Sequence, residues 1–99
     1  MTTKSEPWYA VKCIFQANNK TSFEERILLV RAASFEDAEL KARAEASDYL
    51  SNLPGVKLIG CVDIFHIFGN DISDCTEVYS IFYDSSLAPK KYIDKFYNR

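Results

Sequence analysis

The sequence WYAVKCIFQANNKTSFEERILLVRA, residues 8–32, predicts a β-hairpin. In residues 8–16 every second side chain is apolar, as in a strand that buries one face. Residues 17–22 favour a turn, because Asn tolerates positive φ and its amide hydrogen-bonds the local backbone. Residues 23–32 then form the returning strand. The apolar centre of that strand, residues 27–30, predicts that it is covered on both faces.

A long helix is predicted from Ser34 to Leu53. Ser34 is a typical N-cap residue, and Asp37 stands where a capping-box acid lies. Residues at three- and four-residue spacing mark the buried face, namely Ala38, Ala42, Ala46, Tyr49 and Leu53. Because this stripe is mostly Ala, we expect the helix axis to lie close to a sheet. Pro54-Gly55 ends the helix.

Two further strands and a short helix are predicted in the second half of the chain. Residues 56–68 form a long strand with apolar side chains on both faces, and Gly60 marks a bulge or bend within it. Residues 75–84 form the last strand. Residues 85–99 form a short C-terminal helix, basic and aromatic in composition, with Pro89 in its first turn.

This order predicts a single α+β domain of residues 1–99, in which residues 1–7 are frayed. We expect a β-β-α-β-β, mostly antiparallel four-stranded sheet, with the long helix on one face and the short helix at the C-terminus. The second sheet face also carries apolar side chains, and one helix cannot cover both faces. The C-terminal helix, a second copy of the chain or a different partner is expected to cover it.

The composition excludes several classes of protein. A hydrophobic fraction of 47% and a charged fraction of 26% indicate a globular chain. The net charge of −2 argues against nucleic-acid binding, and no apolar run reaches the roughly 20 residues of a membrane span. Residues 1–7 contain no apolar targeting segment, and three cysteines without metal-type spacing fit a reducing compartment. We therefore expect a cytoplasmic protein.

No pattern of catalytic, cofactor-binding or metal-binding residues is present, so we expect a protein that is not an enzyme and needs no cofactor. His66, the one histidine, is interpreted as a half-buried structural residue. Cys61 lies five residues earlier and therefore faces the opposite side of a regular strand. Asp63 and His66 are three apart and also point to opposite faces. An enzyme with Cys61 or Cys75 as nucleophile is a third, weaker hypothesis.

The charges are unevenly distributed along the chain. Between Lys57 and Lys90 there are five acidic residues and no Lys or Arg, whereas residues 85–99 contain four basic residues and one acidic residue. One interpretation is a solvated acidic edge with the basic helix folded onto it. The other is a docking surface for a basic partner. Its predicted partner-binding residues are Asp63, Asp71, Asp74, Glu77, Tyr79, Tyr83 and Asp84.

Five sequence blocks in this order resemble a known family. They are Trp8-Tyr9-Ala-Val11-Lys12, Phe23-Glu24-Glu25-Arg26-Ile27, Arg31-Ala-Ala-Ser34-Phe35-Glu36-Asp37-Ala38, Gly60-Cys-Val-Asp63-Ile-Phe65 and Thr76-Glu77-Val78-Tyr79-Ser80. Over roughly residues 8–84 the chain is similar to the bacterial domain-of-unknown-function family 4288. The resemblance implies a compact α+β domain of about this length and no known activity.

The leading functional hypothesis is a non-enzymatic protein-binding module. Small acidic bacterial proteins without catalytic residues are often immunity proteins, which cap the active site of a toxin with an acidic surface. By that analogy of class, the most specific form of the hypothesis is an immunity or antitoxin-type protein that neutralises a basic toxin domain. The alternative is a homodimeric structural or small-ligand-binding protein whose uncovered sheet face is the dimer interface.

Overall fold

The computed structural model describes residues 6–69 and 71–97. The elements in chain order are β1 (Trp8–Gln16), β2 (Phe23–Arg31), α1 (Phe35–Leu50), β3 (Lys57–Ile67) and α2 (Pro89–Tyr97). The three strands form an antiparallel sheet in the order β2-β1-β3. Of the predicted frayed residues, 1–5 lie outside the described residues, and residues 6–7 have no regular secondary structure.

The predicted hairpin is confirmed, because β1 and β2 pair in an unbroken antiparallel register over the nine residues of each strand. In the turn, the side-chain oxygen of Asn19 accepts hydrogen bonds from the backbone N–H of Thr21 at 2.9 Å and of Ser22 at 3.1 Å. The positive φ, 65°, falls on Lys20 rather than on an Asn. The amide-to-backbone bonds of Asn19 are therefore what fix the turn.

α1 begins where the sequence predicts. The Ser34 hydroxyl accepts a hydrogen bond from the backbone N–H of Asp37 at 3.1 Å, which satisfies one free donor of the first turn. The helix ends at Leu50, three residues earlier than predicted. The reason is that the N–H of Ser51 bonds the carbonyl of Asp48, an i→i−3 turn that replaces the next helical bond.

The hydrophobic core lies between α1 and one face of the sheet, which we call the inner face. The predicted Ala stripe is confirmed: Ala38, Ala42 and Ala46 are buried. They pack against four alternate residues of β1, namely Tyr9, Val11, Cys13 and Phe15. Because each Ala offers only a methyl group, the larger β1 side chains fill the space between helix and sheet. The opposite face of the sheet is called the outer face.

β3 pairs with β1 in a register that shifts twice, between Lys12 and Cys13 and again between Ile14 and Phe15. Each shift leaves one β3 residue without a partner, first Val62 and then Ile59. The irregularity predicted at Gly60 therefore exists, and Gly60 lies between the two unpaired residues.

The first shift corrects the expectation that Cys61 and His66 face opposite sides. In the observed register Cys61 is opposite Cys13, and His66 is opposite Tyr9, so both belong to the inner face. His66 stacks on Tyr9 with ring centroids 5.0 Å apart. Val62 is an extra residue in the strand, and it reverses the alternation of side chains that a regular strand would keep.

The predicted fourth strand is wrong: residues 75–84 form no strand, and the sheet contains three strands rather than four. Tyr79 provides the physical reason. Its hydroxyl donates a 2.6 Å hydrogen bond to Asp63, and its ring lies 6.2 Å from that of Phe65. Both partners lie on the outer face of β3. The segment therefore packs across this face instead of hydrogen-bonding to a sheet edge.

Residues 71–97 form a C-terminal arm that crosses the outer face and then extends away from the sheet. α2 begins at Pro89 as predicted, but it does not cover the outer face: no Cα of α2 lies within 8 Å of a Cα in the described strands or in α1. The radius of gyration is 16.4 Å, whereas a compact domain of this length has about 13 Å. The expansion is consistent with an arm that stands off the domain.

Candidate partner-binding groove

An open groove of about 1230 Å³ separates the outer face of β2 from α2. One wall is formed by the outward side chains of β2, the second by residues 79–87 of the arm and the third by α2. Most of the lining side chains are apolar or aromatic. A groove with such walls is the usual form of a site that accepts apolar side chains from another molecule.

The β2 wall contains apolar side chains that the fold leaves exposed, on either side of Glu25. Phe23 is 60% exposed and Ile27 is 46% exposed, so the expectation that this strand is covered on both faces is wrong. The arm covers the outer face over β1 and β3, where Ala10 and Ile67 are buried. It does not cover β2. Large apolar side chains of β2 therefore stay exposed, as do Ile59 and Val62 of β3.

The α2 wall presents a cluster of aromatic rings. Tyr92 lies with its ring centroid 4.9 Å from that of Phe96 and 6.2 Å from that of Tyr97. Burial and the neighbouring hydroxyls of Tyr97 and Tyr83 raise the pKa of Tyr92 above its ordinary value. Lys95 also lines the groove. The wall is thus aromatic with a cationic side chain beside the rings.

Lys12 anchors the arm to the middle of the sheet. Its Nζ lies 3.4 Å from a carboxylate oxygen of Glu25 and 4.6 Å above the centre of the Tyr79 ring. Burial acts to lower the pKa of Lys12, but Tyr79 and Glu25 outweigh it, so the pKa is raised above its ordinary value. For Tyr79, burial and the hydrogen bond to Asp63 raise the pKa of the hydroxyl. Both groups therefore keep their protons at neutral pH.

Three of the seven predicted partner-binding residues contact residues that are distant in the chain. Asp63 accepts the hydrogen bond from Tyr79, and Asp71 lies 4.0 Å from the guanidinium of Arg31. Asp63 and Tyr79 are half-buried. These two residues hold the arm in place, and Tyr79 also lines the groove.

The other four predicted residues are exposed. Asp74, Glu77 and Asp84 form no ion pair within 4.0 Å among the described residues, and Tyr83 is 61% exposed. Tyr83 and Asp84 line the groove, whereas Asp74 and Glu77 lie earlier on the arm, outside it. With Tyr79, which also lines the groove, the structure brings three of the seven predicted residues into it.

The β2 wall is a binding surface that the sequence pattern alone does not reveal. Apolar residues at both odd and even positions of β2 predict a strand covered on both faces, and the same pattern fits a strand with one exposed apolar face. The position of α2 opposite β2 cannot be predicted from the sequence. That relationship depends on where the arm crosses the sheet.

The side chains with thiol or imidazole groups lie apart from the groove. The described residues contain no group of three or more His, Cys, Asp or Glu side chains that could hold a metal ion. His66 is enclosed by Tyr9 and by Phe35, whose ring lies 6.3 Å from the imidazole. Cys61 is five residues from His66 along β3, roughly 16 Å in a strand, which is too far for a thiol and its base.

Comparison with family models, with curated proteins and with solved structures found no match. Within residues 6–69 and 71–97, neither helix is long and apolar enough to cross a membrane.

Proposed function

We propose that this chain is a non-enzymatic protein-binding module and that its partner docks in the groove between β2 and α2. The observation that carries the proposal is the pair of apolar walls: Phe23 and Ile27 of β2 face the groove from one side, and the aromatic rings of α2 face it from the other. Apolar walls are poorly hydrated, so the transfer of an apolar occupant from water into the groove lowers the free energy of the system.

The charge that favours a basic occupant lies on the arm rather than in the groove. The groove lining is balanced, with Lys12 and Lys95 against Glu25 and Asp84, whereas Asp74 and Glu77 add exposed negative charge along the arm. A protein segment that carries both apolar side chains and Lys or Arg complements these surfaces. Opposite charge at the rim chiefly speeds association, while the apolar side chains supply the affinity.

The most specific form of this proposal is an immunity or antitoxin-type protein that holds a basic toxin domain. The acidic arm supports it, and so does the analogy with small acidic proteins that lack catalytic residues. Membership of domain-of-unknown-function family 4288 and a cytoplasmic location, supported by the three free cysteines, belong to the same proposal.

The experiment that tests the proposal is affinity capture from the native lysate with three versions of the tagged chain. Wild type is compared with Ile27→Glu, which places a charge in the groove wall, and with Leu40→Glu, which changes an exposed residue of α1. We expect a basic protein to be retained by wild type and by Leu40→Glu and to be lost with Ile27→Glu. Equal capture by all three versions would exclude the groove.

A homodimer is the second candidate function, and one observation favours it. α2 is itself a basic segment with exposed apolar residues, Ile93 and Phe96, and it makes no close approach to its own sheet. The α2 of a second copy therefore has the chemistry that the groove accepts. Such a dimer would be symmetric, since each copy offers one groove and one helix.

Light scattering over a range of concentrations separates the two candidates. The homodimer predicts a mass near twice 11.3 kDa that depends on concentration and that Phe96→Glu returns to 11.3 kDa. A monomer at high micromolar concentration contradicts the homodimer and leaves the heterologous partner as the occupant.

A further inference from the structure

Two thiols face each other across the β1–β3 pair. Cys13 and Cys61 are direct partners in the register, and their sulfur atoms are 3.3 Å apart. Cys13 is fully buried and Cys61 is half-buried, and both are free cysteines. The groove and its proposed function use neither of them.

The bulge at Val62 creates this pair. Lys12 is opposite Asp63, so in a regular continuation Cys13 would be opposite Val62. The extra residue shifts the register by one, brings Cys61 opposite Cys13 and leaves Val62 58% exposed. A regular strand would place the two sulfurs on different faces of the sheet.

The backbone geometry at this pair suits a disulfide. Directly opposed residues in antiparallel strands have Cα atoms about 4.5–5.5 Å apart, and disulfides span Cα distances of about 4.4–6.8 Å. The sulfurs must approach by just over 1 Å to reach the disulfide length of about 2.05 Å. Adjustments of the two χ1 angles supply movements of that size without a change of register.

We propose that Cys13 and Cys61 form a dithiol oxidation site, which small-molecule disulfides such as glutathione disulfide convert into an intrachain disulfide. The Cys61 thiolate attacks one sulfur of the reagent, so that a mixed disulfide forms and one glutathione leaves as a thiol. The Cys13 thiolate then attacks the Cys61 sulfur and releases the second glutathione. The protein loses two protons and two electrons, and the reagent gains both.

The surroundings assign the first attack to Cys61. Burial and the adjacent Cys61 raise the pKa of Cys13 to about 12, so its thiolate is scarce at neutral pH. Cys61 is the less buried of the two residues. The disulfide joins positions 48 residues apart and fixes the central strand to its β3 neighbour. The oxidised protein is therefore expected to have a higher Tm than the reduced one.

The test uses the full chain with Cys75→Ser, which removes the exposed third thiol. After incubation with glutathione disulfide, we expect the mass of the intact protein to fall by the mass of two hydrogens. Peptide mapping is expected to find a disulfide-linked peptide that joins positions 13 and 61. Dithiothreitol is expected to reverse both changes fully. Cys13→Ser in the same background is expected to stop at the mixed disulfide on Cys61. Two thiols still open to alkylation after denaturation, or a stable mixed disulfide with Cys13 present, would overturn the proposal.

Discussion

The hydroxyl of Tyr79 donates a 2.6 Å hydrogen bond to the carboxylate of Asp63, and this bond joins the C-terminal arm to the outer face of β3. The two residues are 16 positions apart, on either side of the turn that follows β3. Their contact determines where the arm crosses the sheet. With the arm held over this part of β3, Phe23 and Ile27 of β2 stay exposed.

Tyr79→Phe removes this hydrogen bond while it keeps the ring. We expect the free energy of unfolding to fall by about 1–2 kcal/mol, because the Asp63 carboxylate loses a partner in a half-buried position. Urea unfolding measures the loss, and limited proteolysis is expected to cut the arm sooner. Tyr83→Phe is the control, since the Tyr83 hydroxyl makes no hydrogen bond among the described residues. Equal effects of the two substitutions would contradict this role of Tyr79.

Ala42→Leu tests the close approach of α1 to the sheet. Ala42 is fully buried against the core, so the larger side chain has no space and we expect a loss of about 1–3 kcal/mol. Ala44→Leu adds the same atoms at an exposed position of the same helix and is expected to change stability by less than about 0.5 kcal/mol. Thermal or urea unfolding compares the two. A stable Ala42→Leu variant would mean that the helix lies further from the sheet.

Ser34→Ala removes the N-cap of α1. The Ser34 hydroxyl accepts the N–H of Asp37, and without it this donor is left to water, so we expect a loss of about 1 kcal/mol. Ser34→Asp restores an acceptor and is expected to recover most of the stability. Urea unfolding of the three proteins measures both effects. A Ser34→Ala variant as stable as wild type would show that the cap contributes nothing.

Charge reversal on the arm tests the basic nature of the partner. Asp74→Lys together with Glu77→Lys is expected to slow association with the captured partner several-fold at low salt and to weaken its salt dependence. Glu45→Lys together with Asp48→Lys makes the same change of charge on exposed positions of α1. Stopped-flow association rates compare the two pairs. Similar slowing by both pairs would point to net charge rather than to the arm.

The buried thiol of Cys13 makes stability depend on alkaline pH. Burial and Cys61 raise its pKa from an ordinary 9.0 to about 12, against a smaller lowering by Arg26 and Arg43. The unfolded chain therefore loses this proton from about pH 9, whereas the folded chain keeps it. The unfolded state binds fewer protons, so the free energy of unfolding falls as pH rises from 9 towards 12.

Cys13→Ala isolates that contribution. The variant is less stable at pH 7, because it lacks a core side chain, but its stability is expected to fall less between pH 9 and 10 than that of wild type. Urea unfolding under reducing conditions at several pH values gives both slopes. Parallel slopes for the two proteins would remove Cys13 as the cause.

The hairpin, the start of α1 and its Ala stripe were predictable because local chemistry specifies them. The cap at Ser34, the turn around Asn19 and the alternation in β1 each act within a few residues. The absence of a fourth strand was not predictable in this way. Residues 75–84 have the composition of a strand, but a strand also needs an edge to pair with, and Tyr79 instead finds its partners on the outer face.

The candidate site was predictable only in part, for a related reason. The acidic side chains on the arm are visible in the sequence, and Asp84 and Tyr83 do line the groove. The apolar wall of β2 depends on long-range placement of the arm. The two unpaired residues of β3 were also only partly predictable. Gly60 indicates an irregularity in the strand, but the alignment of Cys13 with Cys61 is seen only in the observed register.

Amide hydrogen exchange of the free chain and of its captured complex tests the groove most directly. In the free chain, residues 77–84 belong to no strand, so their amides are expected to exchange rapidly. The account predicts that the partner slows exchange in residues 79–87, with further protection at β2 and α2. Protection confined to α1, with the arm and β2 unchanged, would contradict the groove as the binding surface.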